Sequence, residues 1–379
     1  MLRQTLRRQV LVTTTVVALG CVIGAGLLWH SKNGAEAGQD TTPAPHVVRP
    51  DVVRPHVVSF GVSDPKLIHE TSQVRAAQLA RMRSIGITAI RLDANWDWVQ
   101  FGGPQSFDWT QLDGEVHAAR AANMSVDLVI DGCPPWAAPP GITPNSATRP
   151  ASAWQFAGWA RDVVSRYGPL GVKDYEIWNE PNDTKFWWPR PNPAFYTRML
   201  KYSYRAIKRV QPSAFVIAGG LAPVVTRGSN INPIAFLRGM YASGAKPYFQ
   251  AVALHPYSFP ALPRTYEVWS GWSQMSATNP SIRSVMKNHN DWRKPIWITE
   301  FGAPSNGPRG IGANGEAAEL RQAISISKST RWIGALFVYT WQDGGTDTRM
   351  TADWFGLVTT RYRTKSAYWA VKNAIAKTP

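Results

Sequence analysis

The sequence predicts an α/β protein, a single (β/α)8 barrel preceded by an N-terminal membrane segment and a linker. Three observations carry that expectation. From residue 56 onward, eight short β-branched or aliphatic runs alternate with longer stretches of helical periodicity. Most of the runs are near-continuously apolar, as parallel strands covered on both faces are. The Gly-rich turn that a nucleotide-binding open sheet carries after its first strand is missing, which favours closure into a barrel.

The N-terminal segment occupies residues 1–30. Arg3, Arg7 and Arg8 precede Val10 to Trp29, twenty residues without a charge and long enough to cross a bilayer as a helix. Positive charge before the run and a mostly neutral stretch after it place everything downstream outside, so the chain is expected to be exported. The length of the run favours a retained anchor facing the cell envelope. The small residues at 35–37 leave cleavage, and hence secretion, open. Residues 31–55 are rich in Gly, Ala, Thr and Pro and contain VVRP twice, which predicts an extended, semi-rigid spacer.

The barrel is expected over residues 56–379. Its strands fall at 56–63, 89–96, 125–132, 174–181, 214–221, 251–258, 295–302 and 333–341. Helical spacing recurs in Phe156, Ala160, Val163 and Tyr167, and again in Phe195, Met199, Tyr202, Ala206 and Val210. Further helices are expected over 74–85, 109–123, 232–243, 280–290, 315–329 and 365–377.

Composition narrows the chemistry. With 44% hydrophobic and 17% charged residues the chain can build a core, and with only Cys21 and Cys133 it relies on that core rather than on disulfides. A net charge of +16 favours contact with polyanions. No zinc-finger spacing and no basic run beyond the N-terminus point to nucleic acid as a partner. Metal-ligand spacing is also missing, since Asp347 and Asp353 lie outside the pattern of a calcium loop, and no cofactor is expected.

Two glutamates stand out. In a (β/α)8 barrel the C-terminal strand ends form the site. Glu180 ends the fourth run, in DYEIWNEPN, and Glu300 ends the seventh, in PIWITEFGAPS. A carboxylate at the end of an apolar strand is costly unless it is paired. Two facing one cleft can cleave a glycosidic bond, one as acid and the other as nucleophile. Asn179 offers an amide to a sugar hydroxyl, and Arg91 can favour the charged form of a nearby nucleophile.

EIWNEPN followed by WITEFGAPS resembles the clan A glycoside hydrolases, retaining (β/α)8 enzymes, with families 5 and 39 the most similar. The resemblance covers roughly residues 56–379. It implies that Glu180 is the acid/base and Glu300 the nucleophile, with Arg91 supporting the latter. It also places His255 and Tyr257 of ALHPYS at the sixth strand end, and Trp341 of VYTWQD as a sugar platform at the eighth. DGCPPWA is similar to the third strand end of family 39, so Asp131 and Trp136 are expected to line the cleft. The basic anchor, spacer and barrel together resemble envelope hydrolases of mycolic-acid-bearing actinobacteria, which implies a β-D-galactofuranosidase acting on arabinogalactan galactan. Xylosidase or xylanase, β-glucanase and arabinofuranosidase activities remain open within the clan.

Eighteen tryptophans suit sugar contact through their flat faces, and Trp187 and Trp188, just after Glu180, are the leading candidates. A polysaccharide or oligosaccharide is therefore the expected partner. A catalytically silent carbohydrate-binding barrel is the rival reading.

Overall fold

A computed structural model describes residues 58–377. The expected membrane segment (1–30), with Cys21, and the linker (31–55) lie outside the described residues. Among the described residues no helix is long and apolar enough to cross a membrane.

Eight parallel strands close into a barrel in sequence order, with β1 paired to both β2 and β8. They are β1 (Ser59–Ser63), β2 (Ala89–Asn95), β3 (Ser125–Asp131), β4 (Asp174–Asn179), β5 (Phe215–Leu221), β6 (Ala251–Leu254), β7 (Ile296–Phe301) and β8 (Ile333–Tyr339). The helices are α1 (Ser72–Ser84), α2 (Trp96–Val99), α3 (Thr110–Ala121), α4 (Ala153–Tyr167), α5 (Pro193–Val210), α6 (Pro233–Ala242), α7 (Gly271–Ser276), α8 (Ile282–Asn288), α9 (Gly312–Ser329) and α10 (Ser366–Ala376).

Each expected apolar run holds one strand, and each expected helical stretch holds one helix. Three strands end two or more residues early, β4 among them at Asn179. β6 stops at Leu254 and β8 at Tyr339, where the chain leaves the ladder for the polar rim. The short helices α2 and α7 were not expected. α2 starts where the Asn95 side chain accepts from the backbone of Asp97 and Trp98. Asn192 and Asn232 cap α5 and α6 in the same way, each followed by a proline at the first helical position.

The interior of the barrel is layered. Ala89, Ile217, Ala251, Ala253, Trp297, Ala335 and Phe337 form an apolar floor, and fully burying one large side chain contributes about 1.5–3 kcal/mol. The Phe337 ring occupies the space that a Cβ on Gly61 would need, so only glycine fits there. Because side chains alternate along a strand, residues two further along point the same way one layer higher. Arg91, His255, Thr299 and Tyr339 follow Ala89, Ala253, Trp297 and Phe337 at that interval. The strands and the apolar clusters that join them all lie within the described residues.

Candidate active site

Arg91 organises the layer above the floor. Its guanidinium is buried, with Nε donating to Glu176 Oε2 at 3.0 Å and Nη2 to Glu176 Oε1 at 3.3 Å. The remaining contacts reach upward. Nη1 meets Glu300 Oε1 at 2.7 Å and Ser63 Oγ at 3.2 Å, and Nη2 meets Asn179 Oδ1 at 2.8 Å. Burial alone would lower the guanidinium pKa, but the charges of Glu176 and Glu300 raise it well above its ordinary value. Glu176 is itself fully buried and also accepts from the Gly220 backbone at 2.6 Å. A side chain on Gly220 would collide with His255 and Glu176.

Glu300 is gripped at both oxygens. Oε1 faces Arg91, and Oε2 accepts from the Tyr257 hydroxyl at 3.0 Å. Burial, then the Glu300 charge, push the Tyr257 hydroxyl well above its ordinary pKa, so it stays a donor.

Glu180 takes the opposite side. Its backbone is left-handed, with φ 46°, a conformation that costs a non-glycine residue about 1–3 kcal/mol. Oε1 lies 2.7 Å from His255 Nδ1. His255 Nε2 lies 3.1 Å from Thr299 Oγ1, which donates to Glu176 Oε1 at 3.4 Å. With that hydroxyl proton spent on Glu176, Nε2 carries the hydrogen toward Thr299, and Nδ1 shares a proton with Glu180. Burial raises the Glu180 carboxyl; the His255 hydrogen bond opposes this and the Glu300 charge adds to it. Burial lowers the His255 pKa, but Glu300 and Glu180 raise it further, for a net rise.

One oxygen of Glu180, one of Glu300 and a ring nitrogen of His255 all lie within 4.8 Å of one another. That spacing would also admit a cation, although His255 Nδ1 is already engaged with Glu180.

A pocket of about 220 Å³ opens beside Glu300 and Arg91, lined by Asp64, Asp93, Asp131, Asn179 and Tyr339. Burial raises the Asp64 carboxyl to about 6, and raises Asp93 and Asp131 with help from neighbouring charges. Asp131 Oδ1 is buried without a partner. The pocket therefore offers a polyhydroxylated ring several acceptors, with Ile68, Leu92, Trp98 and Phe186 supplying apolar surface beside them. A second pocket, of about 280 Å³, lies between Tyr257, Phe259, Trp269 and Phe355.

Glu180, Glu300, Arg91, Asn179, His255 and Tyr257 are thus brought together, with Asp131 in the pocket wall. Four tryptophans belong elsewhere. Trp341 is buried behind the barrel, its Nε1 donating to Gln78 at 3.0 Å and its ring packed on Tyr368, so it offers no platform. Tyr339, two residues earlier, faces the pocket in its place. Trp187 is fully buried among Trp178, Phe195 and Tyr196. Trp188 is exposed but lines neither pocket; Lys185 and Phe186 of the same loop line the first. Trp136 is turned edge-on to Trp96 and donates to the Gln100 carbonyl at 2.8 Å.

Sequence reasoning missed Glu176, Thr299, Asp93 and Tyr339. The signal was present, because Glu176 and Asp93 are charges within apolar runs, and Tyr339 shares a strand face with Phe337.

No protein-family model and no curated protein matches this sequence. Solved structures do match its fold. A family 39 glycoside hydrolase from the gut symbiont Bacteroides cellulosilyticus WH2 aligns with TM-score 0.65 and 20% identity over 86% of this chain and 64% of that one. The chain thus spans slightly under two thirds of that enzyme's length. A GH39 β-xylosidase from Caulobacter crescentus aligns with TM-score 0.61 and 21% identity over 86% of this chain and 72% of the other. A GH5_18 protein from Streptomyces cattleya, in complex with GlcNAc, aligns with TM-score 0.61 and 18% identity over 85% and 81% of the two chains. The barrel described above is the one these glycoside hydrolases are built on.

Proposed function

We propose that the chain is a retaining β-glycosidase in which Glu300 is the nucleophile and Glu180 the acid/base. The observation that carries this reading is the spacing of the pair. Oxygens of the two carboxyls lie within 4.8 Å, in keeping with about 5–5.5 Å for retention and short of the roughly 6.5–9.5 Å that inversion needs. Glu300 attacks the anomeric carbon while Glu180 gives its proton to the leaving oxygen. Glu180 then takes a proton from water, which releases the sugar from Glu300. Arg91 and Tyr257 fix the attacking carboxylate, and His255 holds the Glu180 carboxyl in place by the hydrogen bond at Nδ1 while water restores its proton.

The substrate proposed is a β-D-galactofuranosyl linkage of the envelope galactan, cleaved by an exported enzyme tethered through residues 1–30. The charge-free N-terminal run, the proline-bearing spacer and the acceptor-rich pocket support this reading. β-Xyloside cleavage is the second reading, favoured by the name of the Caulobacter neighbour.

The test uses a chain beginning at Pro45 beside its Glu300→Gln variant. Each is incubated with galactofuranan, arabinan, xylan and β-glucan, and released sugars are identified by mass spectrometry. Product from galactofuranan that vanishes in the variant supports both parts of the proposal. Product from xylan alone keeps the mechanism and replaces the sugar. Silence of the folded protein on every polymer favours a carbohydrate-binding barrel.

A further inference from the structure

One side of this barrel carries exposed cations with few acids beside them. The connections from helix to the next strand all open on the face opposite the pocket, at the N-terminal ends of the strands. Four of the seven hold an exposed cation, Lys173, Lys246, Arg293 and Arg331, and Arg83 and Arg209 stand exposed in the last turns of α1 and α5 beside two more. Beside the remaining connection, Arg120 at the end of α3 is half-buried on the Leu170 and Met124 carbonyls. Acidic residues are scarce there. Asp174 begins β4, and Asp291 is buried against Tyr241 and Lys294.

Helix dipoles explain part of this, since cations favour helix C-termini. The same preference would place acids in first turns. Yet the first turns of α1, α4, α5, α6, α8, α9 and α10 hold none, and among the longer helices α3 alone does, with Asp113. Acids are thus rare in these helices' first turns, and the cations of this face stand with little acidic charge beside them.

Two further features share the face. Trp292 is half exposed in the connection from α8 to β7, with the Arg293 guanidinium 4.7 Å from its ring centroid, an aromatic and cation pair suited to a headgroup boundary. β1 also begins here, so the chain arrives at the barrel on this side. Upstream lie the charge-free run, Val10 to Trp29, and the linking residues 30–57. An extended spacer adds up to about 3.1 Å per residue. It therefore permits the face to touch a bilayer without forcing it to do so.

We propose that this basic face docks on an anionic lipid headgroup surface and so turns the pocket away from the bilayer. The occupant is argued from the charge of the face and from the position at which the chain that carries the apolar run arrives. The proposal rests on the reading of an exported, tethered enzyme, but it concerns the barrel's own affinity and can fail separately.

The experiment uses the chain from Pro45 onward, which retains every strand and the apolar clusters, in co-sedimentation with phosphatidylcholine vesicles with and without phosphatidylglycerol. The expected result is binding to the anionic vesicles alone, abolished by high salt. Lys173→Glu, Arg209→Glu, Arg293→Glu and Arg331→Glu combined should weaken it by roughly a hundredfold or more, with the circular dichroism spectrum unchanged. Arg227→Glu with Arg361→Glu, outside this face, should leave most of the binding intact. Absence of binding to anionic vesicles overturns the proposal. So does equal loss in both charge-reversal variants, or retention by soluble polyglutamate but not by vesicles. Whether residues 10–29 anchor the full chain is read independently, from its resistance to alkaline carbonate extraction.

Discussion

The Arg91 guanidinium is anchored from below by Glu176, Nε to Oε2 at 3.0 Å, and this pairing leaves its terminal nitrogens aimed at Glu300 and Asn179. Arg91→Lys keeps a positive charge but loses the planar fork. The expected outcome is a fall in kcat of about a hundredfold with little change in KM, because the loss falls on nucleophile placement. Arg91→Met should also destabilise the fold by about 3–5 kcal/mol, since Glu176 is then buried without its partner. Urea unfolding of the two variants beside steady-state kinetics separates these effects.

Glu300→Gln is expected to lower kcat by about 10³-fold or more. Glu180→Gln should behave differently with substrate. An aryl glycoside with an acidic leaving group needs no proton, so it should still load the enzyme, and added azide should restore turnover with retained configuration. Product stereochemistry by NMR checks this.

Activity should decline at alkaline pH. Burial raises the Glu180 carboxyl, and the acid form must be present for the first step. The His255 hydrogen bond works against that rise, so His255→Asn removes a lowering influence and should move the alkaline limb to higher pH. A pH profile of kcat/KM that moves to lower pH instead would contradict the proton sharing described for this pair.

Stability carries its own pH dependence. Burial raises Glu319, on α9, to about 8, with the Ser258 hydroxyl donating to it at 2.8 Å. A carboxyl whose pKa is higher folded than unfolded contributes fully below its unfolded value of about 4.3, and that contribution is lost as pH rises through the folded value. Tm should therefore fall between about pH 4.3 and 8, and Glu319→Gln should flatten the slope.

Tyr339→Ala is expected to raise KM, since the ring lines the pocket, whereas Trp341→Phe should lower Tm with kinetics unchanged. The reverse pattern would return the platform to Trp341.

This last pair shows what was legible in the sequence and what was not. Strands and helices announced themselves through apolar runs and helical spacing, because burial on both sheet faces dictates them. Glu180 and Glu300 were legible because a carboxylate at the end of an apolar run is expensive. Which aromatic faced the cleft was not, because that depends on where a strand stops. β8 leaves the ladder at Tyr339, so Trp341, where the resemblance put the platform, lies past the strand and its ring packs against α10. Trp187 failed for a similar reason, since proximity to Glu180 in sequence says nothing about which side of the loop meets the core. Glu176 was passed over because attention went to strand ends, while its position inside β4 is what lets it hold Arg91.

The closed apolar floor has a kinetic corollary. With Phe337 filling the space beside Gly61 and Trp297 packed below the site, the barrel is closed from below among the described residues. A freed sugar leaves through the opening beside Glu300 and Arg91 by which substrate arrives. Product and incoming substrate then share that opening, and accumulating sugar should act as a competitive inhibitor whose grip sets the pace late in digestion.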